Sequence, residues 1–254
     1  MRIFNKKAEL KSYLTNLKFQ NKSIGFVPTM GALHKGHLSL ITHAQKKNDI
    51  VVVSVFVNPT QFEDKEDLVK YPQTLNEDRL LLEKVSCDIL YAPNANDVYD
   101  DVIIAEEFDF DGLENKMEGK FRNGHFNGVG TVVLKLLEIV MPDKAYFGEK
   151  DFQQLQIIKK LVNKNKILVK IKGRPIFRED DGLAMSSRNV RLTKEYRDFA
   201  PFIYEMLQRA SEKFGEKSCK KLTNWVVRQF DKHPLLKLEY FTIADEKTLK
   251  TSNK

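Results

Sequence analysis

The sequence predicts an α/β protein: a parallel sheet flanked by helices over residues 1–175, then a smaller α+β domain over residues 176–254. Three observations lead there. Short, almost uniformly apolar runs, Ile24–Val27 and Ile50–Val57 above all, alternate with stretches whose apolar residues recur at helical spacing. Such β-branched runs without polar alternation belong to strands covered on both faces, as in parallel sheets. Polar, often glycine-bearing loops follow these runs at their carboxyl ends, which is where open α/β sheets bind ligands. The expected architecture is Rossmann-like.

Each element follows in order. Residues 6–19 read as a helix with Leu10, Leu14 and Leu17 on one face. Ile24–Val27 is a strand, and Leu38, Ile41 and Ala44 mark the inner face of a helix running to about Lys47. Ile50–Val57 is the strongest strand, stopped by Pro59. Glu63–Lys70 is an acidic connection, followed by a helix from about Thr74 with Leu75, Leu81 and Leu82 inward. Asp88–Ala92 is a strand, and Val102–Ala105 is a candidate short one. A loop from Met117 to Val129 precedes an apolar helix, Thr131–Val140. Lys144–Gly148 is a strand, and the next helix turns Leu155, Ile158 and Leu161 inward. Ile167–Ile171 is a further strand, and Pro175–Asn189 a long loop. The second domain opens with a long helix capped by Thr193, with Tyr196, Phe199, Ile203 and Leu207 as core positions. A helix at Cys219–Phe230, carrying the single tryptophan, Trp225, and a strand at Leu238–Ile243 complete it.

Composition narrows the function. With 254 residues, 42% apolar and 30% charged, the chain is of ordinary globular composition and long enough for a sizeable core. A net charge of +7 suits an anionic partner. The lysines are dispersed in short clusters (Lys46-Lys47, Lys159-Lys160, Lys220-Lys221) with no aromatic-studded basic stripe, which favours an anionic small molecule over nucleic acid. Cys87 and Cys219 are too few for a disulfide framework or a zinc site and suit a reducing compartment. No run approaches membrane-spanning length and Met1–Lys7 is no apolar signal, so a cytoplasmic protein without membrane partners is expected.

The chemistry concentrates in loops at strand ends. Val27–His37 reads VPTMGALHKGH: two glycines that permit close backbone approach, and two histidines placed to donate to phosphate at a helix N-terminus. Asn58 and Gln61 can hold a hydroxy acid by hydroxyl and carboxylate. Lys150 and Gln154 share one helix face, the ammonium for phosphate and the amide for a second ligand. Ser186, Ser187 and Arg188 offer two hydroxyls and a guanidinium to phosphates. Glu77 and Asp78 either complement a helix dipole or support Mg²⁺ carried on ATP phosphates. No nucleophilic triad or metal cage is visible, so positioning and electrostatic stabilisation are the expected means of catalysis.

The spacing His-x-Gly-His resembles the HxGH signature of nucleotidyltransferases. The longer strings PTMGALHKGH, VNPTQF, EGKFRNGHFNGV, FGEKDFQQL and DGLAMSSRN resemble, in order, those of the pantothenate synthetase (pantoate–β-alanine ligase) family. Asn123 stands where that family has proline. The resemblance implies ATP-dependent condensation of (R)-pantoate with β-alanine through a pantoyl-adenylate, with Mg²⁺, in a homodimer. It implies ATP contacts from Pro28, Thr29, Met30, His34 and His37, from Gly148, Lys150 and Asp151, and from Phe177, Met185, Ser186, Ser187 and Arg188. His34, His37, Lys150, Ser186, Ser187 and Arg188 would act in catalysis. Pantoate would be held by Gln61 and Gln154, with Met30 and Asn58. Another HxGH-type nucleotidyltransferase is the alternative, against which the paired glutamines and DGLAMSSRN argue.

Overall fold

The computed structural model describes residues 1–63 and 65–252. Among these, six strands form one parallel sheet: β1 (Arg2–Phe4), β2 (Ile24–Thr29), β3 (Ile50–Val55), β4 (Ile89–Tyr91), β5 (Lys144–Gly148) and β6 (Lys170–Arg174), in the spatial order β1-β4-β3-β2-β5-β6. β2 and β3 pair along their full length, from Ile24 opposite Ile50 to Thr29 opposite Val55. The chain winds outward from β2 in one direction and from β5 in the other. The carboxyl ends of these two neighbours therefore open a crevice that no crossover fills.

The helices of the sheet region are α1 (Lys7–Phe19), α2 (Lys35–Gln45), α3 (Lys65–Val69), α4 (Leu75–Lys84), α5 (Ala95–Tyr99), α6 (His125–Val140) and α7 (Phe152–Lys164). Successive strand residues face opposite sides, so the sheet has two cores. Phe26 and Val52 join Leu10 and Leu14 of α1, Leu137 of α6 and Ile158 of α7. Val27, Val51 and Val53 join Ile41 and Ala44 of α2 and Leu82 of α4. Beyond β6 lie α8 (Lys194–Phe199), α9 (Phe202–Glu212) and α10 (Cys219–Phe230). Met206 and Ala210 of α9 pack there against Leu222, Val226 and Phe230 of α10.

Several expectations need correction. β1 was not anticipated; it is a three-residue edge strand too short to show a pattern. β6 begins at Lys170 rather than Ile167, its register set by pairing of Lys144 with Lys170. The segment Val102–Ala105 joins no sheet: Ile104 N donates back to Val102 O at 3.0 Å in a tight turn, and Val102 and Ile104 are 63% and 66% exposed. α6 begins at His125 rather than Thr131, taking Gly128 and Gly130 into the helix. The long helix after Thr193 is two helices, because Pro201 interrupts it. Thr193 does cap the first, accepting from Tyr196 N. Tyr196, Phe199, Ile203 and Leu207 are exposed rather than core, and α9 buries Met206 and Ala210 instead. Leu238–Ile243 finds no strand partner among the described residues and runs as an irregular strap.

Candidate active site

The loops after β2, β3 and β5 and the segment after β6 enclose one cavity of about 460 Å³, within the ~300–1,000 Å³ usual for small-molecule sites. The loop after β2 is shaped from beneath. Thr29 Oγ1 donates to the Ser54 carbonyl at 2.7 Å and accepts from Gly31 N at 3.2 Å. Gly31 (φ +83°) and Ala32 (φ +48°) both turn through the left-handed region. Asp78 of α4, 1% exposed, fills this turn. Its two oxygens accept from Ala32 N at 3.0 Å and Leu33 N at 2.7 Å. Burial pushes the Asp78 carboxyl above its ordinary value, against the opposing pull of those N–H groups.

His34 caps α2. Its Nδ1 accepts from Gly36 N at 3.2 Å, while His37 Nδ1 accepts from His34 N at 3.3 Å, a capping box built of imidazoles. The ring centroids lie 4.0 Å apart. A ring nitrogen that accepts carries no proton, so in the neutral form the proton of each sits on Nε2. Burial, then His34 and Lys150, push His37 down to about 3; burial and Lys150 lower His34. At neutral pH both are uncharged Nε2–H donors on the cavity wall. A Cβ at Gly36 would lie 2.9 Å from His34 Cε1, so the spacing His-x-Gly-His is what the capping geometry requires.

The loop after β3 is locked to α6. Buried Asn58 donates from Nδ2 to Gly128 O and to Gln61 Oε1, both at 3.2 Å, and accepts from Tyr99 OH at 2.5 Å. With its carbonyl oxygen held, Gln61 turns its amide nitrogen to Met30 Sδ at 2.8 Å. Sulfur is a weak acceptor, so a ligand oxygen is the better partner. The approach depends on Gly128, where a Cβ would stand 2.2 Å from Thr60 O. His125 Nδ1–H donates to Gln61 O at 2.8 Å, which leaves Nε2 bare, 3.3 Å from Arg122 Nη1. Burial lowers its pKa. The cavity thus holds neutral histidines of opposite tautomer, donors in His34 and His37 and an acceptor in His125.

After β5, Lys150 Nζ lies 2.9 Å from Asp151 Oδ1 with its side chain 39% exposed, a solvated cation beside the histidine pair. Adjacent glutamines divide the work. Both line the cavity, but Gln153 is buried and its amide is engaged by Glu118 N, Leu113 O and Lys116 O. From the far side comes a tight turn, Phe177–Met185, closed by Met185 N donating to Phe177 O at 3.0 Å and reversed at Gly182 (φ +90°). Beyond it Ser187 Oγ donates to Ala32 O at 2.9 Å, and Ser186 Oγ accepts from Arg188 N at 3.3 Å.

The family model described as Pantoate-beta-alanine ligase matches residues 2–254. The chain belongs to the pantoate–β-alanine ligase family. The pantothenate synthetase of Christiangramia forsetii is 58% identical over 255 residues, covering 100% of this chain and 90% of the relative. That of Flavobacterium psychrophilum is 54% identical, covering 99% and 89%. The crystal structure of pantothenate synthetase from Thermus thermophilus superimposes with a TM-score of 0.91 at 39% identity, covering 100% of this chain and 91% of that one. A Francisella tularensis pantoate-beta-alanine ligase, in complex with β-γ ATP and β-alanine, gives 0.80 at 42% identity, covering 91% and 86%.

In this ligase fold, the positions expected to meet ATP or a hydroxy acid all fall on the one cavity. Pro28, Thr29 and Met30 floor it beside the histidines, Gly148, Lys150 and Asp151 close one side, and Phe177, Met185 and Ser186–Arg188 close the other. Glu77 and Asp78 do not line it. Asp78 is a brace for the histidine loop, each of its oxygens accepting from a backbone N–H group. Asn58 is likewise engaged by Gly128, Gln61 and Tyr99, so it orients Gln61 rather than offering its own amide. The Ser187 hydroxyl proton goes to Ala32 O. Glu118, Arg122 and His125 also line the cavity, from a loop whose only sequence signal is a histidine and an arginine beside glycines. Tyr71 and Tyr240 also line the ligase cavity. Tyr240 donates to Glu118 Oε1 at 2.7 Å and stacks on Phe121 with ring centroids 5.2 Å apart. Nothing in its local sequence distinguishes it.

Proposed function

We infer that this cavity joins (R)-pantoate to β-alanine with consumption of ATP, releasing AMP and pyrophosphate. The observation that carries the reading is the division of the cavity wall. Two neutral imidazole donors and the Lys150 ammonium converge at one end, suited to a polyphosphate, and the amides of Gln61 and Gln154 lie where a hydroxy acid would fit. The pantoate carboxylate attacks the α-phosphorus and the bond to the bridging oxygen breaks, so pyrophosphate leaves. The free amine of β-alanine then attacks the acyl carbon, loses a proton and expels AMP. His34 and His37 donate without carrying charge, and Lys150 balances the charge growing on the leaving phosphates. The turn at Phe177–Met185 and the Ser187–Ala32 hydrogen bond narrow the mouth, which protects a mixed anhydride from water.

We include in the proposal Mg²⁺ carried on the ATP phosphates. Among the described residues no group of three His, Cys, Asp or Glu could hold a metal, which favours an ion brought by the nucleotide. We also propose a division between residues 175 and 176, supported by the separate small core of α9 and α10. A homodimer in the cytoplasm completes the proposal. The exposed apolar side chains of Val102, Ile103 and Ile104 support a contact surface for a second copy. No helix among the described residues is long and apolar enough to cross a membrane.

The test is AMP and pyrophosphate release from MgATP with pantoate, with and without β-alanine. AMP equal to the amide formed, and requiring both acids, supports the ligase reading. Pyrophosphate exchange into ATP driven by pantoate alone supports the adenylate step. ATP turnover indifferent to both acids would overturn the substrate assignment.

A further inference from the structure

Arg188 reaches the cavity from the segment after the Phe177–Met185 turn, but what holds it comes from the opposite side of the mouth. Asp67, on α3 in the connection from β3 to α4, spreads its two oxygens over two arginines. Oδ2 lies 2.8 Å from Arg188 Nη2 and Oδ1 lies 2.9 Å from Arg191 Nη1. The Arg188 guanidinium carbon stands 5.4 Å from the centroid of the Tyr71 ring. Ser187, next in the chain to Arg188, donates to Ala32 O at 2.9 Å. A chain of contacts therefore runs from α3 through Arg188 and Ser187 to the histidine loop. The two arginines keep the Asp67 carboxyl below its ordinary range, as an anion engaged by both should be.

We propose that Asp67 is a positioning residue for nucleotide binding: it fixes Arg188 at the cavity mouth with its remaining N–H groups free for the ATP phosphates. The proposal rests on the ATP site inferred above. Geometry separates positioning from competition. A guanidinium presents five N–H donors in a rigid fork. Asp67 gives Arg188 one oxygen only, because the other is on Arg191, so the fork is not filled bidentately. The Arg188 side chain is 42% exposed. Without Asp67 this long side chain samples solvent, and the freedom it gains has to be surrendered when phosphate binds. A negative charge at a solvated mouth repels phosphate only weakly through screening.

The experiment titrates the full chain with a non-hydrolysable ATP analogue and Mg²⁺ by calorimetry, the parent first. For Asp67→Ala, analogue binding weakens about tenfold, while pantoate affinity and Tm stay at parent values. Asp67→Asn keeps one acceptor oxygen and loses less. In an Arg188→Ala background, Asp67→Ala adds no further loss, because the residue it positions is gone. Analogue binding by Asp67→Ala equal to or tighter than the parent's would overturn the proposal, making Asp67 a bystander or a competitor. So would a tenfold loss that persists in the Arg188→Ala background. A parent chain that fails to bind the analogue defeats the ATP-site reading itself and this proposal with it, an outcome distinct from failure of Asp67 alone.

Discussion

Replacing Asp78 by alanine removes the group on which the histidine loop is hung. Its two oxygens accept from Ala32 N and Leu33 N at 3.0 and 2.7 Å in a site 1% exposed. Hydrogen bonds to a charged group contribute about 1.5–3 kcal/mol each, so the gross loss is roughly 3–6 kcal/mol. Against this stands the cost of keeping a carboxylate buried, visible in its raised pKa, which alanine relieves. The expected net destabilisation is roughly 2–4 kcal/mol. Urea unfolding at neutral pH should show it as a lowered midpoint with an unchanged slope. Asp78→Asn keeps one acceptor but sets an NH₂ against a backbone N–H, so it should lose at least half as much. ATP-analogue binding should weaken with both, since the turn carrying His34 and His37 is released. Stability within about 0.5 kcal/mol of the parent, together with a lost dependence on Mg²⁺, would refute the brace and favour Asp78 as a metal partner.

Lys150→Ala should slow pyrophosphate release in a rapid-quench assay by about 100-fold or more. Stability should stay within about 0.5 kcal/mol, because the solvated Lys150–Asp151 pair contributes little to folding; an unchanged rate removes Lys150 from the chemistry. Gly128→Ala, whose Cβ would meet Thr60 O at 2.2 Å, should cost about 1–3 kcal/mol in denaturant and raise the KM for pantoate by displacing Gln61. His37 is held neutral, its folded pKa about 3 against an ordinary 6.5. Between those values the unfolded chain binds the extra proton, so this contribution is full above about pH 6.5 and is lost as pH falls, by up to about 1.4 kcal/mol per pH unit. His37→Asn keeps an acceptor without the titration, and should flatten the Tm profile between about pH 4 and 7. For the dimer, Val102→Asp with Ile104→Asp should convert a dimeric parent to monomer in sedimentation; an unchanged mass would move the interface elsewhere.

Much of the site was legible because it is written in contiguous strings at strand ends. The His34–His37 spacing reports a local geometry, a capping box with room for nothing larger than hydrogen at Gly36, and local geometry survives in sequence. Lys150 and Gln154 were legible for the same reason, one helix start after one strand. Pro201 also announced the break between α8 and α9, and the longer apolar periodicity around it concealed the signal. The exposure of Tyr196, Phe199, Ile203 and Leu207 was not readable from spacing, since periodicity identifies an apolar face without saying what covers it.

By itself the sequence determined the alternation of strands and helices, the family, and the loops in which the chemistry is placed. Periodicity, turn residues and short motifs are properties of neighbours along the chain. Only the tertiary structure decided which polar groups are free. Asp78, Asn58 and Gln153 look as available in the sequence as Gln61 and Gln154. Yet Asp78 is consumed by Ala32 and Leu33, Asn58 by Gly128, and Gln153 by Leu113 and Lys116. The tautomer of His125, the grip of Asp67 on Arg188, and the place of Tyr240 beside Glu118 were decided in the same way. A hydrogen-bonding group is engaged or available according to what folding brings within about 3 Å of it, and those partners lie far off in the chain.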